Sequence, residues 1–238
     1  NRWGLCTAGA VSPEKGNLIW SPNLGWKDVE LFRRASSFLD TKGVVENDCN
    51  AAAFGEWTFR KDIESLIYVT ISTGIGMGIV ARGKILRGAN NSAGEIGHTI
   101  VKPDGPTCTC GRRGCLQAIS GGRGLENRAH DSLGIEISAK EIIDRAQLNE
   151  PLFKEMITEA SERLGRFLCN LIDSLDPSVL VIGGSLGKNR YYFDRILKII
   201  EENRYRIPGK KVKVELSSVE PNPNIIGILS LSRRTYKD

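Results

Sequence analysis

Short apolar runs alternate along the chain with longer stretches whose apolar residues recur at helical spacing. "RWGLCTAG" (2–9) reads as a buried strand entering a glycine turn, and "WKDVELFRRASSFL" (26–39) as a helix with Val29, Phe32 and Leu39 on one face. "KGVVEND" (42–48) is a strand whose apolar residues stop at Asn47 and Asp48. "NAAAFGEWTFR" (50–60) then predicts a helix packed through its alanines. "SLIYVTISTGIGMGIVARGKILRG" (65–88) reads as strand, glycine turn, strand, tight turn and short strand. "SAKEIIDRA" opens on a capping-box pattern, Ser138 to Glu141, and "PLFKEMITEASERLGRFLCNLIDSLD" is the longest helix, its apolar repeat running through Met156, Leu164, Phe167, Leu168 and Leu171. "PSVLVIGGSLG" is a buried strand ending in paired glycines, "YYFDRILKIIEENRY" a helix, "KKVKVEL" an alternating strand and "PNIIGILSLSRRTY" a closing helix. The class is α/β, and Asp48 sits where a strand hands over to a helix, a common address for ligand chemistry in such folds.

Composition narrows the picture modestly. A chain of 238 residues with 40% apolar and 26% charged residues is long enough to bury a substantial core. The net charge of +5 is spread among acids with no dense basic run, so a solvated surface is favoured over a nucleic-acid patch. No apolar run is long enough to span a bilayer and the start lacks the order of a secretory signal, so the expected location is cytoplasmic.

The cysteines change the picture more. Cys6, Cys49 and Cys169 stand apart among apolar or small residues, as core packing would have them. Cys108, Cys110 and Cys115 cluster, with Gly111 and Gly114 between them to turn the backbone and His98 as the nearest fourth donor. Three thiolates and an imidazole match a four-coordinate zinc. A reduced or reactive thiol group and a nucleic-acid-binding zinc module are the competing readings. Taken singly, the glycine turn Thr73, Gly74, Gly76 could be an ordinary hairpin or a phosphate cradle. Gly183 and Gly184 are equally ambiguous, Asp48 could be a plain helix cap, and His130 reads as a surface residue.

Together these stretches resemble the ROK family of repressors, open reading frames and sugar kinases. "ISTGIGMGIVARGKILRGANNSAGEIGH" followed by "CTCGRRGC" carries the likeness, with "VENDCNAAAFGE", "VLVIGGSLG" and "SPNLGW" in the same order. The resemblance implies an actin-like, ribonuclease-H-like fold of two lobes with sugar and ATP meeting in the cleft between them. It divides the chain into residues 1–48 of a first lobe, a second lobe over 49–220 with the zinc loop and nucleotide-binding turns, and a C-terminal helix over 221–238 packing back on the first lobe. It implies Asp48 as general base and Asn47, Glu95, His98 and Gln117 as sugar-binding residues. Thr73, Gly74, Gly76, Gly183 and Gly184 would serve the nucleotide. Zinc would be a structural ion on His98, Cys108, Cys110 and Cys115, and ATP with Mg²⁺ the co-substrate. Zinc would then brace a sugar-binding imidazole from behind.

Two departures from the family pattern bear on function. The Asp-x-Gly-Gly-Thr turn that engages ATP phosphates in family kinases is not found, and "GLCTAGAVSPEKG" matches a segment that follows it. The expectation is a chain beginning partway through the first lobe. Gln117 stands where the family usually has glutamate, which keeps an acceptor oxygen but adds an amide donor and loses the charge. The function expected is ATP-dependent phosphorylation of a hexose, foremost the 6-hydroxyl of glucose, with N-acetylated hexosamines open. The alternative is the sugar-sensing domain of a ROK repressor, with DNA as a partner only through an N-terminal winged helix. The family likeness also implies a homo-oligomer and no membrane partner.

Overall fold

The structure is a computed structural model and describes residues 2–22, 24–60, 62–205 and 212–235. In chain order the elements begin with strands β1 (Arg2–Thr7), β2 (Ala10–Ser12), β3 (Asn17–Ser21) and β4 (Trp26–Val29), helix α1 (Leu31–Ser36), β5 (Lys42–Asn47) and α2 (Asp48–Thr58). Strands β6 (Ser65–Ile71), β7 (Ile75–Ala81) and β8 (Lys84–Ile85) follow, then a 3₁₀ turn (Ile96–His98) and helices α3 (Leu116–Ser120), α4 (Gly122–Leu133), α5 (Ala139–Gln147) and α6 (Pro151–Leu175). The chain ends with β9 (Val179–Gly183), α7 (Arg190–Asn203), β10 (Lys213–Leu216) and α8 (Pro223–Thr235). The sheets run β1-β5, β2-β3-β4 and β10-β9-β6-β7-β8. Among the described residues no helix is long and apolar enough to cross a membrane.

The chain divides into two compact units. The first comprises Asn1–Tyr68, Met77–Gly94 and Ser217–Asp238, the second Val69–Gly76 and Glu95–Leu216, and strands β6 and β7 each pass from one to the other.

In the first unit β1 and β5 pair in parallel, Arg2 opposite Lys42 through Thr7 opposite Asn47. Trp3, Val11, Leu18, Leu31 and Val45 form its small core, with the Trp3 and Phe32 rings 5.2 Å apart. Helix α2 is buried on almost every side, Ala51, Ala52 and Ala53 being wholly inaccessible. It packs on α8 so closely that a Cβ on Gly227 would overlap the Ala51 carbonyl oxygen, and one on Gly55 the Pro223 carbonyl oxygen. Small residues at this crossing, four apart on α2 and buried on α8, let the two backbones touch. Helix α8 also packs on β1 and β5.

One predicted element changes. The helix expected from Trp26 is a strand as far as Val29, with Val29 opposite Leu18 and Lys27 opposite Trp20. Asp28 has φ +51°, a left-handed conformation that no right-handed helix accommodates. Helix α1 therefore keeps only Leu31–Ser36, burying Leu31, and Leu39 lies beyond it, exposed.

In the second unit β9, "VLVIG", is buried at every residue and pairs in parallel with β10. A continuous apolar run is what a strand covered on both faces requires. Helix α6 buries Phe153, Met156, Ile157, Ala160, Leu164, Leu168 and Ile172 against α5 and α7. Phe167 and Leu171, expected on that face, sit at its half-buried margin. The Ser138 hydroxyl accepts from Glu141 N–H at 3.2 Å, so α5 starts at the cap that its sequence predicts. Cys49 and Cys169 are buried and Cys6 half-buried. Lys210 and Lys211 of the last predicted strand, and Asn23 of "SPNLGW", lie outside the described residues.

Candidate active site and metal centre

The loop from Thr99 to Cys115 is built by its own backbone rather than by a sheet. Val101 N–H and Lys102 N–H both donate to Gly114 O, Cys108 N–H to Arg112 O at 2.7 Å, and Gly111 N–H to Cys108 O at 2.9 Å. Gly114 is held at φ +70° against the Lys102 carbonyl, where a Cβ would overlap that oxygen. Leu116 N–H then donates to Thr99 O at 2.8 Å, which returns the chain to α3 beside His98. Lys102 Nζ reaches Glu159 Oε1 on α6 at 2.8 Å, and Arg128 from α4 binds the other carboxylate oxygen. These cations hold the Glu159 carboxyl below its ordinary range in spite of the desolvation that opposes them.

That geometry brings together the four donors expected from the sequence. One donor atom from each of His98, Cys108, Cys110 and Cys115 lies within 4.8 Å of all the others. His98 Nδ1 is 3.6 Å from Cys108 Sγ, and Cys110 Sγ is 3.7 Å from Cys115 Sγ. Tetrahedral zinc with bonds of about 2.3 Å to sulfur and 2.0–2.1 Å to nitrogen needs separations of about 3.6 Å and 3.8 Å for these pairs. The donor set and spacing therefore fit such an ion. Desolvation raises the Cys110 thiol, yet hydrogen bonds with Arg112, Cys108 and Cys115 bring it down to about 6. Burial first, then its bonds to Cys110 and Cys108, push Cys115 up to about 12. Cys110 is thus easier to deprotonate than Cys115, and a cation would favour the thiolate form that metal binding needs.

Because Nδ1 of His98 faces the sulfurs, Nε2 is turned the other way, 3.9 Å from Glu95 Oε2. Gln117, two residues past Cys115, points its amide back at the cluster, donating from Nε2 to Cys108 Sγ at 3.6 Å and to Thr109 Oγ1 at 3.3 Å.

The glycine turns also meet in this unit. Ser72 N–H donates to Gly74 O at 2.9 Å, closing a tight turn that includes Thr73. The N-terminus of α4 is spent on the same turn, Gly122 N–H and Arg123 N–H donating to Ser72 O and Thr73 O. Gly184, at φ +84°, packs on the Ile71 carbonyl so tightly that a Cβ would overlap it. Leu186 N–H and Gly187 N–H donate to that carbonyl, and the Ser72 and Ser185 hydroxyls are 3.0 Å apart. Thr73 and Gly74 thereby lie beside the Gly183–Gly184 turn, and Gly76 follows within β7. Neither serine was singled out from the sequence.

In the first unit Asn47 caps α2. Its Oδ1 accepts from Asn50 N–H at 3.0 Å and its Nδ2 donates to Gly9 O at 3.0 Å, leaving one N–H and one lone pair of the amide for a ligand. Asp48 Oδ1 accepts from Cys49 N–H at 2.9 Å, and the Asp48 carbonyl accepts from Asn224 Nδ2 on α8. Burial pushes the Asp48 carboxyl above its ordinary value, partly offset by the Cys49 hydrogen bonds. Beneath this pair lies Glu46, 2% exposed, which the sequence reading missed. Its Oε1 accepts from Asn47 N–H and Asn50 Nδ2, and its Oε2 from Arg87 Nε at 2.9 Å and Nη2 at 2.5 Å. Glu46 directly precedes the singled-out pair, but Arg87 is 41 residues away and no spacing rule links the two.

A family model described as the ROK family matches residues 2–235, nearly the whole described chain. The chain belongs to the ROK family. It is 32% identical over 225 residues to a glucokinase of Halalkalibacterium halodurans, which covers 86% of this chain and 67% of that protein. It is 26% identical over 244 residues to a xylose repressor of Caldicellulosiruptor bescii, covering 96% of this chain and 61% of the repressor. Among solved structures, a ROK hexokinase from Thermus thermophilus superposes with a TM-score of 0.85 at 29% identity, over 98% of this chain and 78% of that one. A ROK family glucokinase from Streptomyces griseus in complex with glucose and AMPPNP superposes at 0.81 with 28% identity, over 95% of this chain and 80% of that one. The fold is accordingly the actin-like, ribonuclease-H-like α/β fold of this ROK member. The chain spans about two thirds of the length of these two curated relatives.

Proposed function

We propose that this ROK member is an ATP-dependent hexose kinase in which Asp48 is the general base. The observation that carries the reading is the Asp48 carboxylate itself. It stands at the first position of α2, its direction fixed by the Cys49 N–H and by a backbone anchored through Asn224, with burial raising its pKa. A carboxylate whose pKa is raised toward the working pH is a better proton acceptor, and such a base contributes about 10²- to 10⁴-fold. In the reaction a sugar hydroxyl gives its proton to Asp48 as its oxygen forms a bond to the γ-phosphorus of ATP. The bond between that phosphorus and the β,γ-bridging oxygen breaks, and ADP leaves. ATP enters as its Mg²⁺ complex. The 6-hydroxyl of glucose is the foremost acceptor, in keeping with the glucokinase relative and with the glucose held by the Streptomyces griseus enzyme.

The other site residues take roles consistent with their surroundings. His98, with Nδ1 committed to the metal, donates from Nε2 to a sugar hydroxyl, and Glu95 accepts beside it. Asn47 offers its remaining N–H and lone pair, and Gln117 an amide oxygen. The turns of Thr73, Gly74, Gly76, Gly183 and Gly184 serve the nucleotide, their backbone N–H groups offering contacts to phosphate oxygens. His98, Cys108, Cys110 and Cys115 would hold zinc, which would supply structural cross-linking rather than chemistry. Bound through Nδ1, the His98 ring would carry its proton on the outward nitrogen.

A second reading is kept because the xylose repressor matches over 96% of this chain. In it the same sugar-binding residues belong to an effector domain and no phosphoryl group moves. The deciding experiment is ADP release by the full-length protein with Mg²⁺-ATP and a panel of hexoses, N-acetylhexosamines and xylose. Sugar-dependent turnover supports the kinase. Saturable sugar binding without turnover for every sugar that binds would reject it in favour of the regulator.

A further inference from the structure

Gln117 is a side chain of the second unit that lies against both the metal loop and the glycine turn. It is the second residue of α3, so the helix start that follows Cys115 sets its direction. Its Nε2 contacts Cys108 Sγ and Thr109 Oγ1, while its Oε1 lies 3.2 Å from where a Cβ on Gly74 would stand and 2.7 Å from one on Gly97. The chemistry admits one orientation of the amide. A metal-bound thiolate only accepts, so nitrogen must face Cys108 and oxygen the two glycines.

We propose that Gln117 is a positioning residue of the metal centre, its amide N–H bonding the Cys108 thiolate and setting both the hold on the ion and the stance of the metal loop against Gly74 and Gly97. The inference rests on the metal reading given above. The N–H···S bond draws electron density from sulfur and restrains the Cys108–Thr109 turn, so Cys108 stays aimed at the ion. Oε1 then remains as an uncharged acceptor on the glycine side.

The test compares Gln117→Met and Gln117→Glu with the wild type in the full-length zinc-loaded protein. Methionine keeps the length and packing but has no donor, and glutamate, the residue usual in the family, keeps the acceptors but also has no N–H. Zinc release to a chromogenic chelator is measured, together with the electronic spectrum of the cobalt-substituted protein. Loss of an outer hydrogen bond typically weakens metal affinity by about 10- to 100-fold. Both variants, which lack the N–H donor, should fall in that range. In both, the thiolate-to-cobalt charge-transfer band should move to lower energy, a shift that a purely packing role for Gln117 would not produce. Wild-type zinc retention with an unchanged cobalt band in the methionine variant would overturn the assignment while leaving the metal centre intact. A wild type that takes up neither zinc nor cobalt would overturn the metal reading and this inference with it. Circular dichroism of each variant keeps a folding defect from passing as a weakened site.

Discussion

The metal loop and the Asn47–Asp48 corner reach order by different means. The corner is carried by packing: β5 feeds α2, whose alanines pack through Gly55 and Gly227 onto α8, and Glu46 anchors the junction with four accepted hydrogen bonds. The loop from Thr99 to Cys115 has almost no apolar side chains of its own to bury, only Cys108 and Cys115 with Ala118 of α3. What converges there are donors. A segment that cannot gain order from apolar burial has to gain it from backbone bonds, the Glu159 ion pairs and, in the proposed reading, a zinc ion. The chemistry of Asp48 should therefore be insensitive to metal, and the aim of His98 should not be.

The largest structural effect should come from cutting the corner's anchor. Glu46→Ala leaves Arg87 and Asn50 with unmet donors, and breaking a buried pair in this way costs about 3–5 kcal/mol. Arg87 keeps some water contact, which places the expected loss at the lower end, about 3 kcal/mol by denaturant titration. An unchanged midpoint would show that the hub adds nothing to the corner.

The metal side should respond to Cys110→Ser. That variant should lose zinc and bind sugar at least tenfold more weakly, an outer-ligand-sized effect applied here to a ligand itself. Denaturant stability of the first unit, whose core holds Trp3, should barely move. If sugar affinity survives in the metal-free protein, zinc does not aim His98 and the contrast collapses.

Smaller effects sharpen it further. Gly227→Ala forces a Cβ against the Ala51 carbonyl and should cost about 1–3 kcal/mol, the range for overpacking a close contact. Asn47→Ala removes the α2 cap and should cost about 1 kcal/mol. A control on pH follows from Asp48. Its folded pKa lies above the unfolded value, so the folded state holds the proton more tightly. Its contribution to stability is present at low pH and is lost as pH rises from the unfolded value through the folded one. Asp48→Asn should thus be slightly more stable than wild type at neutral pH, with the difference vanishing in acid. Equal melting curves at both pH values would remove burial as the cause of the raised pKa.

Much of this was legible in the amino-acid sequence because it depends on local order. The cysteine spacing with Gly111 and Gly114 announced the cluster of His98, Cys108, Cys110 and Cys115, and the change from apolar to polar at Asn47 and Asp48 announced the strand-to-helix corner. What could not be read depends on partners distant in sequence. Arg87 pairs with Glu46 across 41 residues, Glu159 ties Lys102 to Arg128, and Ser72 meets Ser185. Trp26–Val29 misled for a related reason. Its apolar positions suit a helix, but pairing with β3 places Val29 opposite the fully buried Leu18, and that tertiary gain outweighs local preference. The bond from the Gln117 amide nitrogen to Cys108, nine residues back, likewise follows from the folded loop and not from spacing.

The most direct test of the account separates sugar binding from phosphoryl transfer at Asp48. Full-length wild type and Asp48→Asn are titrated calorimetrically with the best sugar of the panel, and ADP release is followed in parallel. The account predicts nearly equal sugar affinity and a loss of turnover of about 10²-fold or more in the variant. Turnover equal to wild type in Asp48→Asn would contradict it.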